Sequence, residues 1–239
     1  MDKRGQLTLA LDASQPSGSL ALGSVTGIIY DAAFDIGITH SETLMPQIDH
    51  ALRFSGYQPQ DIGRILLANG PGSFTGLRIG LATAKGIAYA NRCPLEAYSS
   101  LQLAALPRRA CGKKILTVID ARMKEVYAAL WDDDLQMLKE PSVCLPEEIM
   151  AWDVDGAWLV GNGSHLIPDS ERLIPVDTSA YLPAAGLFAL SALHATPAEY
   201  DFDYLAALQP FYLRDASAQI KSAEKHRQAM AKTTPTDSR

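Results

Sequence analysis

The chain has 239 residues, 47% of them hydrophobic, with 21 Lys and Arg against 27 Asp and Glu and a net charge of −6. Such a length fits one large domain or two small ones around a sizeable core, and the acidic balance excludes a chain that grips nucleic acid strongly by itself, which takes a basic surface to displace counterions. Cys93, Cys111 and Cys144 are odd in number and lack C-x-x-C spacing, no apolar run approaches a membrane span, and the N-terminal residues lead into a strand pattern without a signal-type region, so free thiols in the cytoplasm are expected.

In chain order, Leu7 to Asp12 and Ser19 to Gly23 read as strands joined by the turn Ala13-Ser14-Gln15-Pro16-Ser17-Gly18, and Gly27 to Gly37 as a third. A helix is predicted from about Ser41 to Ser55. Leu44, Ile48, Ala51 and Leu52 share one of its faces, Ser41 or Thr43 can cap it, and Pro46 lies early enough to be tolerated. The apolar strand Ile65 to Ala68 then passes through Gly70-Pro71-Gly72-Ser73 into a second helix, Thr75 to Ala90. Its Gly76, Gly80, Ala84 and Ala88 recur every four residues as a stripe with almost no side chain. Glycine inside a helix costs about 1 kcal/mol relative to alanine, so another backbone is expected to pack closely here, either the chain's own sheet or a second protein. The competing reading of the loop is an anion site, because free N–H groups at a helix start favour phosphate. Glycines at 70, 72 and 76 fit neither the Walker nor the dinucleotide spacing.

The first half thus reads β-β-β-α-β-α, and a connection near Pro94 to Lys114 holds a short helix, Leu101 to Leu106, ended by Pro107-Arg108-Arg109. The pattern then restarts. Ile115 to Arg122 resembles Leu7 to Ser14, and each is followed by an apolar strand, Val126 to Trp131 and Ser19 to Leu22. After the turn Asp132-Asp133-Asp134, a short strand near Trp158 to Gly161 and a helix near Ala184 to His194 are predicted, so the second half looks trimmed. The expected division is an N-terminal unit 1–106, a C-terminal unit 107–216, and a frayed or disordered tail 217–239 poor in large apolar residues.

A duplicated strand–Asp–turn–strand module is the phosphate-holding device of the actin-like ATPase (ASKHA, RNase H-like) superfamily, and the expected fold class is that duplicated α/β βββαβα fold. Four segments make the resemblance specific: Asp12-Ala13-Ser14 with Ser17-Gly18-Ser19-Leu20-Ala21-Leu22; His40-Ser41-Glu42 with Leu44 and Pro46; Gly70-Pro71-Gly72-Ser73-Phe74-Thr75-Gly76-Leu77-Arg78-Ile79-Gly80; and Asp120-Ala121-Arg122 with Glu125-Val126-Tyr127. Over about residues 7 to 214 the chain resembles the TsaB (YeaZ) family. The resemblance implies a non-catalytic subunit of the bacterial machinery that forms N6-threonylcarbamoyladenosine at position 37 of tRNAs reading codons that begin with A. It implies a TsaD-family catalytic partner, a TsaE-family ATPase that joins the pair, a homodimer when TsaD is absent, and tRNA contact only through the complex. The family's partner bundle maps onto His40 to Ser55 and Thr75 to Ala90. Its expected interface residues are His40, Leu44, Ile48, Leu52, Gly76, Arg78, Gly80, Ala84 and Ala88.

The chemistry-bearing residues bear on "non-catalytic". TsaD proteins hold a metal through paired histidines at i, i+4 spacing, whereas here His40 is followed at position 44 by Leu. No metal or cofactor is expected, and His165, His194 and His226 are isolated. Asp12 and Asp120 are the candidate cofactor-binding residues, since kinase-like relatives use such aspartates on Mg²⁺ or the attacking water. The competing role is a turn aspartate accepting main-chain N–H groups. Gly161-Asn162-Gly163 reads as an Asn-Gly turn or as adenosine-side glycines. Arg78 sits in a first helical turn, where a cation opposes the helix dipole, and a carboxylate partner, inside the chain or across the interface, is expected for it. The alternative function is a stand-alone ATP-dependent phosphotransferase or acyltransferase requiring Asp12 and Asp120.

Overall fold

The computed structural model describes residues 6–35, 40–176, 183–193 and 199–214. The first sheet contains β1 (Leu7–Asp12), β2 (Ser17–Ser24), β3 (Gly27–Asp35), β4 (Ile62–Ala68) and β5 (Leu95–Tyr98) in the order β3-β2-β1-β4-β5. The second contains β6 (Ile115–Arg122), β7 (Glu125–Trp131), β8 (Met137–Cys144), β9 (Ala157–Val160) and β10 (Leu173–Pro175) in the order β10-β9-β6-β7-β8. Read from β8 inward, the second order repeats the first, and the pairings match: two antiparallel ladders followed by two parallel ones.

The trimming expected of the second half therefore falls on its helices. The first half follows β3 with α1 (His40–Phe54) and β4 with α2 (Phe74–Asn91), whereas 3₁₀ turns at Pro146–Ala151 and Ser164–Leu166 stand in those places in the second. Each half closes on a helix, α3 (Ser100–Ala105) and α4 (Pro183–Ala192), and a last short helix, α5 (Phe202–Ala207), follows. Residues 36, 37, 194 and the tail 217–239, on which expected element ends and the tail assignment fall, lie outside the described residues.

Side-chain alternation along each strand sends one set of residues to each face of a sheet. On the first sheet, Leu7, Leu9, Leu11, Ile65 and Leu67 meet Leu44, Ile48, Leu52, Leu81, Ala84 and Ala88 of α1 and α2. The opposite face is lined by the smaller Ala10, Ala21 and Ala68 with Leu66, and it joins a core shared with both closing helices and with Ile119, Tyr127 and Trp131 of the second sheet. The closing helices are exchanged: α3 packs on β6 and β7, and α4 packs on β1, β2 and β4. Ser19 in β2 accepts the buried Ala184 N–H at 3.1 Å, and a Cβ on Gly186 would crowd Leu103 of α3.

Candidate functional site

β1 ends in Asp12, and its Oδ1 accepts the Ser14 N–H at 2.7 Å. β6 ends in the same device, with Asp120 Oδ1 accepting the Arg122 N–H at 2.7 Å, so the duplication extends to individual hydrogen bonds. The surroundings differ. Asp12 is 1% exposed and its Oδ2 has no hydrogen-bond partner among the described residues. Burial pushes its carboxyl above the ordinary value of 3.8, and bonds from Ser14 only partly oppose this. Asp120 is partly exposed, with its Oδ2 3.5 Å from the Arg122 guanidinium.

The glycine loop before α2 is spent on the first of these turns. A Cβ on Gly72 would overlap the Ser14 carbonyl oxygen and one on Gly76 the Ala13 carbonyl oxygen, so only glycine permits the contact. Ser73 N–H donates to Ser14 O at 2.6 Å, and the Ser73 hydroxyl accepts the Gly76 N–H to cap the helix. The Ser73 and Gly76 N–H groups, two of the donors an anion would use, are thereby engaged within the chain. On the other half, Gly161 at φ +109° and Gly163 press against the end of β6, and Asn162 Oδ1 accepts the Asp120 N–H at 2.9 Å. Asn162 Nδ2 also donates to Gln15 Oε1 at 2.9 Å, linking the two aspartate turns. Sequence reading missed Gln15 and Asn69, whose buried Oδ1 has no partner among the described residues; the only signal for Asn162 was its Asn-Gly pair.

The expected partner-facing stripe requires correction. Leu44, Ile48 and Leu52 are each 2% exposed or less, Ala84 and Ala88 are fully buried, and all five belong to the core under α1 and α2. Gly76 and Gly80 face the Ala13 turn, with the Gly80 Cβ position 3.3 Å from the Ala13 Cβ. An amphipathic helix buries its apolar face on whatever sheet lies under it, and here the sheet is the chain's own. The His40 side chain lies outside the described residues.

Two other faces of α2 remain. Phe74, Arg78, Lys85 and Tyr89 meet the segment 199–214. Arg78 lies 3.8 Å over the Phe74 ring and donates to the Tyr212 hydroxyl at 3.0 Å, Lys85 donates to Ala206 O, and Tyr89 meets Phe202. Among the described residues Arg78 thus meets an aromatic clamp rather than a carboxylate. The last face carries Thr75, Ala82, Gly86 and Ala90, all exposed, and a Cβ on Gly86 would meet nothing within 4 Å. On α1, Met45 is exposed, and the exposed Phe54, on the opposite side of that helix, packs against Tyr30 of β3.

Among the described residues no group of three or more His, Cys, Asp or Glu could hold a metal ion, and no helix is long and apolar enough to cross a membrane. His165 Nδ1 lies 2.9 Å from Asn162 O, and His50 stacks on Phe54; His194 and His226 lie outside the described residues. Burial pushes the Cys93 thiol up to about 11, which leaves little thiolate for chemistry.

Residues 36–222 match the TsaD family model, described as tRNA N6-adenosine threonylcarbamoyltransferase. The chain is 30% identical to the tRNA threonylcarbamoyladenosine biosynthesis protein TsaB of Bacillus subtilis (strain 168), over 90% of this chain and 97% of that one. It is 33% identical to the protein of the same description from Escherichia coli (strain K12), over 74% and 81% respectively. The solved structure of YeaZ from Pseudomonas aeruginosa superposes with a TM-score of 0.72 at 26% identity, covering 87% of this chain and all of that one. The ethanolamine utilization protein EutJ from Carboxydothermus hydrogenoformans, at 9% identity and TM-score 0.50, shares the fold. The architecture is the duplicated, actin-like α/β fold.

Proposed function

Since this chain belongs to the TsaB family of tRNA threonylcarbamoyladenosine biosynthesis proteins, we propose that it works there as a non-catalytic subunit that activates a TsaD-family threonylcarbamoyltransferase. The product is N6-threonylcarbamoyladenosine at position 37 of tRNAs reading codons that begin with A, made in the cytoplasm. A TsaE-family ATPase joins the assembled pair, the chain pairs with itself when TsaD is absent, and tRNA is reached through the complex. The observation that supports the non-catalytic role is the turn after β1: Gly72 and Gly76 pack directly against its Ser14 and Ala13 carbonyls, and its aspartate is buried with a raised pKa. Burial disfavours the charged form that would hold a cation.

The partner surface we assign is the free face of α2, Thr75, Ala82, Gly86 and Ala90. Small side chains let two helices approach closely, and Gly86, which costs helix stability and whose Cβ position meets nothing within 4 Å among the described residues, is accounted for by a neighbour outside the chain.

The repeated aspartate turn supports the alternative of an independent ATP-dependent phosphotransferase or acyltransferase. One reconstitution separates the two. Threonylcarbamoyl-adenylate, TsaD, TsaE, ATP and tRNA are combined with and without this chain, and modified adenosine is scored by mass spectrometry. Modification that requires the chain, with none from the chain alone, is the expected result. Equal modification without it refutes the activating role, and nucleotide binding by the chain alone, lost in Asp12→Asn, would establish the alternative.

A further inference from the structure

The two sheets have four edges, and three of them are blunted against pairing with another strand. β3 meets its neighbour through a register shift at Leu22/Gly23, β8 carries Lys139 and Pro141, and β10 ends in Pro175. β5 has no such protection: Leu95-Glu96-Ala97-Tyr98 pairs with β4 in regular parallel register, without lysine, proline or bulge. The Pro94 and Tyr98 carbonyls accept the Ile65 and Asn69 N–H groups on the β4 side. Strand alternation therefore turns the N–H and C=O groups of Leu95 and Ala97 away from the sheet. Neither residue's main chain has a hydrogen-bond partner among the described residues.

Beside this edge runs an open groove of about 470 Å³, lined by Leu95, Ala97 and Ser99 together with Glu199, Asp201 and Tyr204. Its charge is one-sided. Glu96 is neutralised by a two-pronged bond from Arg64 at 2.6 and 2.8 Å, whereas Glu199 and Asp201 are exposed and have no ion-pair partner among the described residues. Asp201 Oδ1 caps α5 by accepting the Tyr204 N–H, which fixes one carboxylate of the groove lining.

We propose that this groove docks an extended, cationic segment of a partner protein, which adds to the first sheet as one more strand beside β5. Its main chain pairs with Leu95 and Ala97, and lysine or arginine side chains reach Glu199 and Asp201. The four residues of β5 span about 13 Å of strand, so a short segment suffices; main-chain pairing supplies affinity and the acidic wall supplies selectivity. The elements involved, β5 and the segment around α5, are distinct from the free face of α2 assigned to TsaD.

The full chain is titrated with the synthetic peptide Lys-Val-Lys-Val-Lys, and amide exchange at Leu95 and Ala97 is followed by NMR. The expected result is saturable binding that slows both amides roughly tenfold, disappears at high salt, is absent for Glu-Val-Glu-Val-Glu, and weakens roughly tenfold in the exposed Glu199→Lys variant. Absence of binding, or equal binding of the acidic peptide, overturns the proposal. It is also overturned if both amides are already slow in the free chain and are released by reversing the charges of Lys221, Lys225 and Arg227, since the chain's own basic stretch would then fill the groove.

Discussion

A buried carboxyl with an unpartnered oxygen makes stability depend on pH, and Asp12 is such a group. Its folded pKa lies above the unfolded value of 3.8 because burial disfavours the charged form. With the folded value raised, the contribution is full below 3.8, where both states are protonated, and is lost as pH rises through the folded pKa. Asp12→Asn keeps the acceptor for the Ser14 N–H and removes the ionisation. Urea unfolding of both proteins should show the variant gaining on the parent as pH rises from acid to neutral; a difference independent of pH would refute a strained, buried charge at Asp12. The repeat made Asp12 and Asp120 legible in the sequence, since each ends a recognisable strand. Gln15 and Asn162 were not legible, because a hydrogen bond across 147 positions exists only once the halves are folded against each other.

Both partner-bundle helices and their apolar faces were evident from the 3.6-residue period, with α1 shifted by one residue at each end. What periodicity could not assign was the occupant of the small-residue stripe, because a sheet of the same chain and a foreign helix ask for the same small side chains. Two substitutions on α2 now separate these roles. Gly80→Arg drives a long side chain into Ala13 and Leu67 and should destabilise the fold by about 1–3 kcal/mol or more. Gly86→Arg points into open space and should leave stability within about 1 kcal/mol of the parent, helped by the better helix propensity of arginine. The same change should abolish TsaD binding measured by calorimetry. Wild-type TsaD affinity in Gly86→Arg would place the interface on another face. β5 and β8 escaped notice for a different reason: one is four residues long, and the other carries Lys139, Glu140 and Pro141, the composition of a strand edge rather than of a buried strand.

At the scale of the whole molecule, the halves recognised from their repeated strand–Asp pattern have exchanged their closing helices. Cutting at residue 106 leaves Ala10, Ala21 and Leu66 without α4, and leaves Ile119 and Tyr127 without α3. Fragments 1–106 and 107–216 expressed apart should each lack a cooperative thermal transition, and mixing them should restore one; a cooperative transition in the isolated 1–106 fragment would mean that the exchange is dispensable. The sequence could not announce this, because α3 and α4 carry the same apolar pattern whichever sheet they cover. During synthesis the exchange also sets a waiting time. The strands of the first sheet are complete at Tyr98, but the helix that covers their inner face ends at Ala192, and at roughly 5–20 residues per second the ribosome needs about 5–20 s to deliver it. For that interval the nascent chain displays an alanine-rich, uncovered sheet, and lining it with small rather than large apolar side chains reduces its attraction for chaperones and for other nascent chains.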